Sequence, residues 1–316
     1  PLQVKYGISS GALWGLDTVV LGFALLMLAY MGGTDSALVA ATLHDLFCAL
    51  LLLAYMGFRR RLGDTLAALK TRSGKAVMGA AALGGPLGMA GYLLAIENIG
   101  PGPAAIISSF YPAFGTLLAF LFLKERMRPR QMIALFAALL GIATIGWTSV
   151  SGGAPGNVTI GVVGALVTVV GWGSEAVILA WGMRDEAVDN EVALQIRETT
   201  SAFLYILVVA PLAGIFASDL EALFSVASWP VLLAASAGTL SYLFYYKAIS
   251  QIGATRAMAL NVSYSAWAVL FGFLLLGAAP STIGIIAGLV ILVGTVLAAS
   301  SNWSQLVPCA LKIQRS

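Results

Sequence analysis

Long apolar stretches separated by short polar links run the length of the sequence. A helix that crosses the hydrocarbon core of a membrane needs about 20 mainly apolar residues. The stretches have this length and lack the alternation typical of membrane strands. The pattern predicts an all-α polytopic membrane protein. Its ten expected transmembrane helices cover residues 5–30, 36–57, 75–98, 103–123, 130–148, 158–182, 190–213, 227–250, 255–277 and 281–300.

The amino-acid composition excludes several classes of protein. Of the 316 residues, 59% are hydrophobic and 10% are charged, whereas soluble domains carry about 25% charged residues. So few charges argue against a soluble enzyme, a disordered chain and a nucleic-acid-binding protein. With one histidine, His44, and two distant cysteines, Cys48 and Cys309, the chain offers no metal cluster and no disulfide framework. We therefore expect no metal, no other cofactor and no nucleic-acid partner.

The positions of lysine and arginine predict the direction of the helices. Arg59, Arg60 and Arg61 begin one basic link, and Lys124 with Arg126 lies in another. The links at the opposite ends of the predicted helices hold acidic residues but no Lys or Arg. Basic links stay in the cytoplasm. We therefore expect a multi-pass protein of the bacterial inner (plasma) membrane, surrounded by the lipid bilayer, with both termini cytoplasmic.

The second half of the sequence repeats the first. A shift of 153 residues places Tyr92 on Tyr245 and Tyr111 on Tyr264. Other matched pairs are Gly100 with Gly253, Phe120 with Phe273, His44-Asp45 with Arg197-Glu198 and, at a shift of 158, Asp17 with Glu175. The predicted divisions are a repeat at 1–150, a second repeat at 155–305 and a cytoplasmic tail at 306–316. Because five helices in each repeat is an odd number, the second copy is expected to be inverted, as in secondary transporters with a binding site near the midplane.

Two motifs carry a resemblance to a known family. The link from Ile99-Gly100 to Ala104 recurs at Ile252-Gly253 to Ala257, and Leu123-Lys124-Glu125-Arg126 ends the fourth predicted helix. With the inverted ten-helix plan, these features resemble the drug/metabolite transporter superfamily, and each half resembles an EamA-type domain. The narrower similarity is to YddG-like exporters of aromatic and other amino acids. The second copy departs from the motif at Gly277-Ala278, where the charged Lys-Glu pair is absent.

The resemblance implies a secondary transporter that works by alternating access around a central cavity, with the fifth and tenth helices outside it. It implies export of small metabolites, with amino acids including aromatic ones as the first expectation. The alternatives within the superfamily are a nucleotide-sugar or sugar-phosphate carrier and a drug carrier. The chain has no phosphate-binding loop of the form GxxxxGK[ST], so we expect a transporter driven by gradients and not an enzyme. Oligomeric state is left open, and a monomer is compatible with the sequence.

Ionisable residues inside predicted membrane helices are candidates for function because each is costly to bury there. Asp17, His44 and Glu175 are the candidates for proton coupling, and histidine changes its charge near neutral pH. Arg197 and Glu198 lie closer to a predicted helix end, where structural pairing or snorkelling to the interface is an equal alternative.

Aromatic residues at the middle of the predicted helices are the next candidates. Interfacial belts account for tryptophans near helix ends, but rings at mid-membrane with a few hydrogen-bonding groups are typical of a cavity for an amphipathic solute. The full set of predicted cavity residues is Trp14, Asp17, His44, Tyr92, Ser108, Tyr111, Trp172, Glu175, Tyr242, Tyr245, Asn261, Tyr264 and Trp267. In the third helix, the glycine-rich stretch around Pro86 is expected to serve close helix packing. The alternative is that Pro86 marks a bend that lines a cavity.

Overall fold

The computed structural model of the protein describes residues 2–30, 35–99, 101–148, 156–277 and 279–300, and all regular secondary structure in these ranges is helical. The helices are α1 Leu2–Tyr30, α2 Ser36–Phe58, α3 Leu62–Ala68, α4 Arg72–Ala82, α5 Ala90–Ile99, α6 Pro101–Ser108, α7 Tyr111–Leu118, α8 Pro129–Thr148, α9 Val158–Gly182, α10 Asn190–Leu204, α11 Ala210–Ala213, α12 Phe216–Leu223, α13 Ser228–Ile252, α14 Ala254–Asn261, α15 Tyr264–Leu276 and α16 Thr282–Ala299. Three π-helical segments continue α4, α7 and α10, at Leu83–Met89, Ala119–Leu123 and Tyr205–Val209. The predicted C-terminal tail lies outside the described residues.

Eight helical stretches within the described ranges are long and apolar enough to cross a membrane, and nine if a bent pair counts as one span. Helices occur at all ten predicted positions, but two of them do not meet this condition alone. The apolar part of α8, Pro129–Thr144, is short, and α13 is apolar enough only together with α12, from which it is bent by 91°. The short helices α3 and α12 were not predicted because neither contains an apolar stretch of membrane length.

The outer surface of the bundle is apolar, as a membrane requires. Along α16, Ile283, Ile286 and Val293 are each more than half exposed, and α16 packs against α8. A monomeric soluble protein rarely exposes a continuous apolar face of this kind, whereas lipid tails solvate it without cost.

The two halves of the chain interlock. Helix α1 packs against α13 and α15 of the second half, and α9 packs against α5 and α7 of the first half. Helix α2 also packs against α10. The first helix of each half therefore contacts the third and fourth predicted helices of the other half, so that a cavity at the centre is bounded by both.

The stretch around Pro86 forms the π-helical segment Leu83–Met89. Pro86 cannot donate the usual backbone hydrogen bond, and the wider turn leaves carbonyl groups free for other donors. Thr168 Oγ1 donates to the carbonyl of Gly88 at 2.9 Å, Trp172 Nε1 to that of Gly84 at 3.2 Å and Tyr205 Oη to that of Gly85 at 2.9 Å. The segment is thereby fixed to the second half of the chain by side chains of α9 and of the segment following α10.

Lys124 and Gly277, which match each other at the repeat shift, both end their helices with a left-handed residue. The φ angles are 59° at Lys124 and 67° at Gly277. Gly277 stands where the first half has the lysine of its charged motif. A left-handed residue at a helix end is favourable for glycine.

We expect Lys124→Gly to stabilise the protein by about 1 kcal/mol, because a side chain in the left-handed region costs roughly 1–2 kcal/mol and glycine adds some entropy to the unfolded chain. The measurement is thermal unfolding in detergent. Lys70→Gly is the matched control, since only Arg60 and Lys124 have positive φ among described non-glycine residues. A lower unfolding midpoint for Lys124→Gly than for the parent protein would contradict the expectation.

Candidate functional site

A small cavity lies between the two halves of the chain. It encloses about 30 Å³ and is lined by Trp14, Tyr111, Trp172, Glu175, Ser241, Tyr242, Tyr245 and Asn261. These residues come from α1, α7, α9, α13 and α14. A water molecule needs about 10–15 Å³ of such space, so the cavity has room for roughly two waters and has to widen before a metabolite enters.

Seven of the eight lining residues belong to the set predicted from the sequence, and Ser241 does not. Ser241 lies four positions before Tyr245 on α13, so helical spacing from this tyrosine places it on the same face. That spacing is the signal that could have found it.

Aromatic rings form most of the cavity wall. The ring centroids of Trp14 and Trp172 lie 5.9 Å apart at 84°, those of Tyr111 and Trp172 lie 5.7 Å apart at 89°, and those of Trp14 and Tyr242 lie 5.2 Å apart. Such edge-on contacts hold the rings in place. The negative faces of Trp and Tyr rings attract cations, and the only charged group among the described lining residues is the carboxylate of Glu175. The wall therefore offers a ligand several aromatic faces and one carboxylate, which is paired with Arg197.

Glu175 is held in place by the second half of the chain and by a glycine of the first. Arg197 Nε donates to Glu175 Oε1 at 2.6 Å. A Cβ atom added at Gly84 would lie 1.9 Å from the carboxyl carbon of Glu175. The glycine in the π-helical segment therefore leaves the space that the carboxylate occupies.

A second ion pair lies in the first half of the chain. His44 Nε2 lies 3.0 Å from Asp17 Oδ2, and both side chains are fully buried. A Cβ atom at Gly238 of α13 would lie 2.6 Å from the same Asp17 oxygen. The first-half pair is thus packed against the second half, as Glu175 is packed against the first.

Asp45 joins the two ion pairs into one buried network. Its Oδ1 lies 3.3 Å from His44 Nδ1, and its Oδ2 accepts a hydrogen bond from Ser201 and lies 3.7 Å from Arg197 Nη1. Arg197 Nη1 also donates to Glu198 at 2.6 Å. Arg197 and Glu198 are fully buried in this network, so neither snorkels to an interface.

The remaining predicted residues surround the cavity without lining it. Tyr92 packs its ring 5.1 Å from Trp172, and Trp267 stacks on Phe271 at 6.5 Å. Tyr264 Oη lies 3.4 Å from Ser108 Oγ. These residues, together with Asp17 and His44, lie beside the site in the described conformation.

Two helix breaks at matching positions support the cavity. Helix α6 ends at Ser108 before α7 begins at Tyr111, and α14 ends at Asn261 before α15 begins at Tyr264. Tyr111 Oη donates to Asn261 Oδ1 at 2.7 Å, while Tyr264 contacts Ser108. Each broken helix is therefore braced by a tyrosine from the other half of the chain.

The two basic links, 59–71 and 124–128, meet the link at 183–189 at one end of the bundle, and we call these three ranges the basic end. Arg61 Nη1 donates to Glu191 Oε2 at 2.5 Å, Arg61 Nη2 contacts Asp189, and Tyr55 Oη donates to Glu191 at 2.8 Å. We call this set of contacts the basic-end latch. It ties the link after α2 to the start of α10.

Burial alone would raise the pKa of the Asp189 carboxyl, but hydrogen bonds from the backbone of Val192 and from Arg61 outweigh it and hold the pKa below its ordinary value. A depressed folded-state pKa adds stability above the ordinary pKa of about 3.9, and this stability is lost as the pH falls through the folded-state pKa. The latch is accordingly intact at neutral pH.

Asp189→Asn is expected to lower the thermal unfolding midpoint in detergent at pH 7, and the difference from the parent protein should begin to shrink near pH 4 and vanish as the pH falls through the folded-state pKa of Asp189. Asparagine still caps α10, so the change removes mainly the ion pair with Arg61. The effect stays under about 1 kcal/mol because Asp189 is partly exposed. Asp185→Asn is the control, since among the described residues its carboxylate accepts a hydrogen bond from the backbone of Ala187 and forms no ion pair. Equal midpoints of the two variants at pH 7 would contradict this account.

Within the described ranges, His, Cys, Asp and Glu side chains form no group of three that could hold a metal ion. The chemistry available at the site is therefore that of aromatic faces, one cavity carboxylate, hydroxyl and amide groups, and the buried ion network beside them.

Comparisons with known proteins agree with a transporter. A sequence model of the EamA-like transporter family matches residues 4–147 and, a second time, residues 159–300. Protein LicB of Haemophilus influenzae is 34% identical over 194 residues, which make up 61% of this chain and 64% of LicB. The match thus spans less than two thirds of that relative. One crystal structure has the same fold, with a TM-score of 0.62 and 21% identity over 98% of this chain and 99% of its own. The chain belongs to the EamA-like transporter family of the drug/metabolite transporter superfamily.

Proposed function

We propose that the protein is a secondary transporter that works by alternating access between two inverted repeats of five membrane helices, at 1–150 and 155–305. Support comes from the two separate matches to the family model, from the exchange of packing partners between α1 and α9, and from the matched helix breaks before Tyr111 and Tyr264. Two similar bundles of opposite direction have two nearly equivalent arrangements, one open to each side of the membrane.

The proposed substrate site is the aromatic cavity, and the proposed substrates are small metabolites that carry an ammonium group. The observation that supports this assignment is the combination of aromatic rings with the single carboxylate of Glu175 in the cavity wall. A cation against Trp or Tyr faces gains about 2 kcal/mol when desolvated, and quaternary ammonium groups are the ligands most often held in this way. A carboxylate in the wall adds to the attraction.

Amino acids, including aromatic ones, are the second group of candidates. Their ammonium group suits Glu175, and an aromatic side chain suits the rings. Their carboxylate needs a donor, however, and the described lining residues include no basic side chain. Asn261 Nδ2 already donates to Ser10 at 2.7 Å, and Ser241 Oγ donates to the Ser10 carbonyl at 2.8 Å. Nucleotide sugars and sugar phosphates are disfavoured for the same reason, since phosphate requires Arg or Lys.

We further propose that transport runs outward, is driven by a gradient and takes place in a bacterial inner membrane with both termini in the cytoplasm. The assignment of sides rests on the basic end, because arginine- and lysine-rich links remain cytoplasmic. The direction rests on the similarity to exporters within the superfamily.

Counterflow in proteoliposomes tests the proposed substrate class. Vesicles loaded with unlabelled tetramethylammonium or choline should accumulate the labelled compound transiently, and protein-free vesicles should not. If only aromatic amino acids accumulate, the substrates are amino acids and not the simpler ammonium compounds. Flux of a sugar phosphate, or flux without counterflow as in a channel, would overturn the proposal.

A further inference from the structure

Glu125, in the charged motif that ends the fourth predicted helix, contacts the second half of the chain. Its Oε1 accepts a hydrogen bond from the backbone N–H of Ala254 at 3.1 Å, and its Oε2 accepts one from Thr255 at 3.0 Å. These two residues begin α14. The first N–H groups of a helix have no partner inside the helix, and a negative charge there also meets the positive end of the helix dipole. Glu125 therefore caps α14 from the other half of the chain.

The backbone on both sides of this contact is shaped to fit it. The residue at a helix start is usually Ser, Thr, Asp or Asn, whose own side chain accepts the first N–H groups. At the start of α14 it is Gly253, which has no side chain and a φ angle of 85°. A Cβ atom at Gly253 would lie 2.8 Å from Glu125 Oε1. The glycine therefore leaves the space that the Glu125 carboxylate occupies.

Helix α14 runs from the basic end to the cavity. It begins at its contact with Glu125, which belongs to the basic end, and it ends at Asn261, which lines the cavity. There Asn261 Oδ1 accepts from Tyr111 Oη at 2.7 Å, and Asn261 Nδ2 donates to Ser10 Oγ at 2.7 Å. Residues of the first half thus hold this second-half helix at both of its ends.

The second copy of the repeat cannot form the same cap. At the shift of 153 residues, Glu125 corresponds to Ala278, and Ala254 corresponds to Pro101. Alanine has no carboxylate, and proline has no backbone N–H to donate. The acceptor and one of the two donors are therefore both missing, so that the two ends of the bundle are closed by unequal contacts.

We propose that Glu125 keeps the cavity closed toward the basic end by capping α14, and that this cap opens whenever the cavity opens to that end. A movement of α14 away from the first half would uncover the cavity on this side and break both hydrogen bonds. Because the matching positions lack the cap, the protein without substrate favours the arrangement that is closed at the basic end. This inference rests on the proposed function, since it requires alternating access.

Cysteine modification in sealed vesicles of either orientation measures the end from which the cavity can be reached. Ser241→Cys places a thiol in the cavity wall, and Lys70→Cys, at an exposed position, identifies the vesicles whose basic end faces the medium. Both variants also carry Cys48→Ala and Cys309→Ala. The reagent is methanethiosulfonate ethyltrimethylammonium, which does not cross the membrane. With Glu125 present, Ser241→Cys should react more slowly from the basic end than from the opposite end.

Adding Glu125→Ala should raise the reaction rate of Ser241→Cys from the basic end about tenfold or more, because hydrogen bonds to a charged group are lost. The rate from the opposite end should fall, since fewer molecules are then open to that side. Glu125→Gln keeps a neutral acceptor and should give an intermediate ratio of the two rates. It serves as the second variant if Glu125→Ala does not fold.

Glu186→Ala is the matched control, because it removes an exposed carboxylate from the same end of the bundle and should leave both rates unchanged. A cap that only stabilises α14 would, when removed, raise both rates together. The inference is overturned by that result, or if the ratio of the two rates stays at the parental value in Glu125→Ala and Glu125→Gln. Rapid modification of Ser241→Cys from both ends with Glu125 present would instead overturn alternating access.

Discussion

Glu175→Gln is expected to weaken binding of tetramethylammonium about 10- to 100-fold, since a hydrogen bond or contact that involves a charged group contributes about 1.5–3 kcal/mol. The variant removes the negative charge from the cavity wall while it keeps the size of the side chain. Arg197 keeps its contacts to Glu198 and Asp45, so the helices around the network should remain in place. Binding can be measured by calorimetry in detergent.

Glu221→Gln is the matched control for this experiment. It makes the same chemical change at an exposed position on α12 and should bind as the parent protein does. An unchanged affinity in Glu175→Gln, with the variant as thermally stable as the parent, would remove Glu175 from the proposed site.

Gly91→Ala is expected to destabilise the protein by about 1–3 kcal/mol, the range found when an extra group is forced into a packed interior. Helices α5 and α9 approach each other at a pair of glycines. A Cβ atom at Gly91 would lie 2.6 Å from the carbonyl oxygen of Gly164, and a Cβ atom at Gly164 would lie 2.6 Å from that of Gly91. Backbone atoms cannot move aside as a flexible side chain can, so α5 and α9 would have to separate. Close contacts of this kind replace the hydrophobic driving force that is missing between helices in lipid.

Gly79→Ala provides the comparison on the same predicted membrane helix. A Cβ atom there meets nothing within 4 Å, and alanine favours a helix over glycine by up to about 1 kcal/mol. In detergent, the thermal unfolding midpoint of Gly79→Ala should therefore equal or exceed that of the parent protein, and the midpoint of Gly91→Ala should be well below it. Gly164→Ala should match Gly91→Ala, and a parental midpoint in both would show that α5 and α9 do not approach as described.

Helix positions could be predicted because a membrane forces long apolar stretches into helices. The same rule gives no signal for α12, whose eight residues, Phe216–Leu223, are too few to span a bilayer. Pro86 marked the irregular part of the third helix. The side chains that donate to its free carbonyl groups, Thr168 and Trp172, lie about 80 positions later in the sequence, and no local pattern indicates them.

The sequence predicted which residues form the candidate site better than it predicted how they contact one another. Glu175 was found because an ionisable residue at mid-membrane is costly, and Trp14 and Trp172 were found because rings in the middle of predicted helices do not fit an interfacial belt. Tyr264 was selected by the same reasoning, yet it lies beside the cavity, with its hydroxyl oxygen 3.4 Å from Ser108 Oγ. The role of Asp45 depends on contacts with Ser201 and Arg197 of the other half, and such long-range partners leave no trace in local spacing.

The interlocking of α1 with α13 and α15 has a consequence for how the chain is made. A ribosome delivers the first five predicted helices to the translocon before the faces that cover α1 exist. Until α13 is synthesised, Asp17 and His44 can contact each other and residues of the first half, but not the second-half helix that covers them in the folded protein. Assembly therefore has to wait for the end of synthesis, and either half produced alone should be a substrate for membrane quality-control proteases.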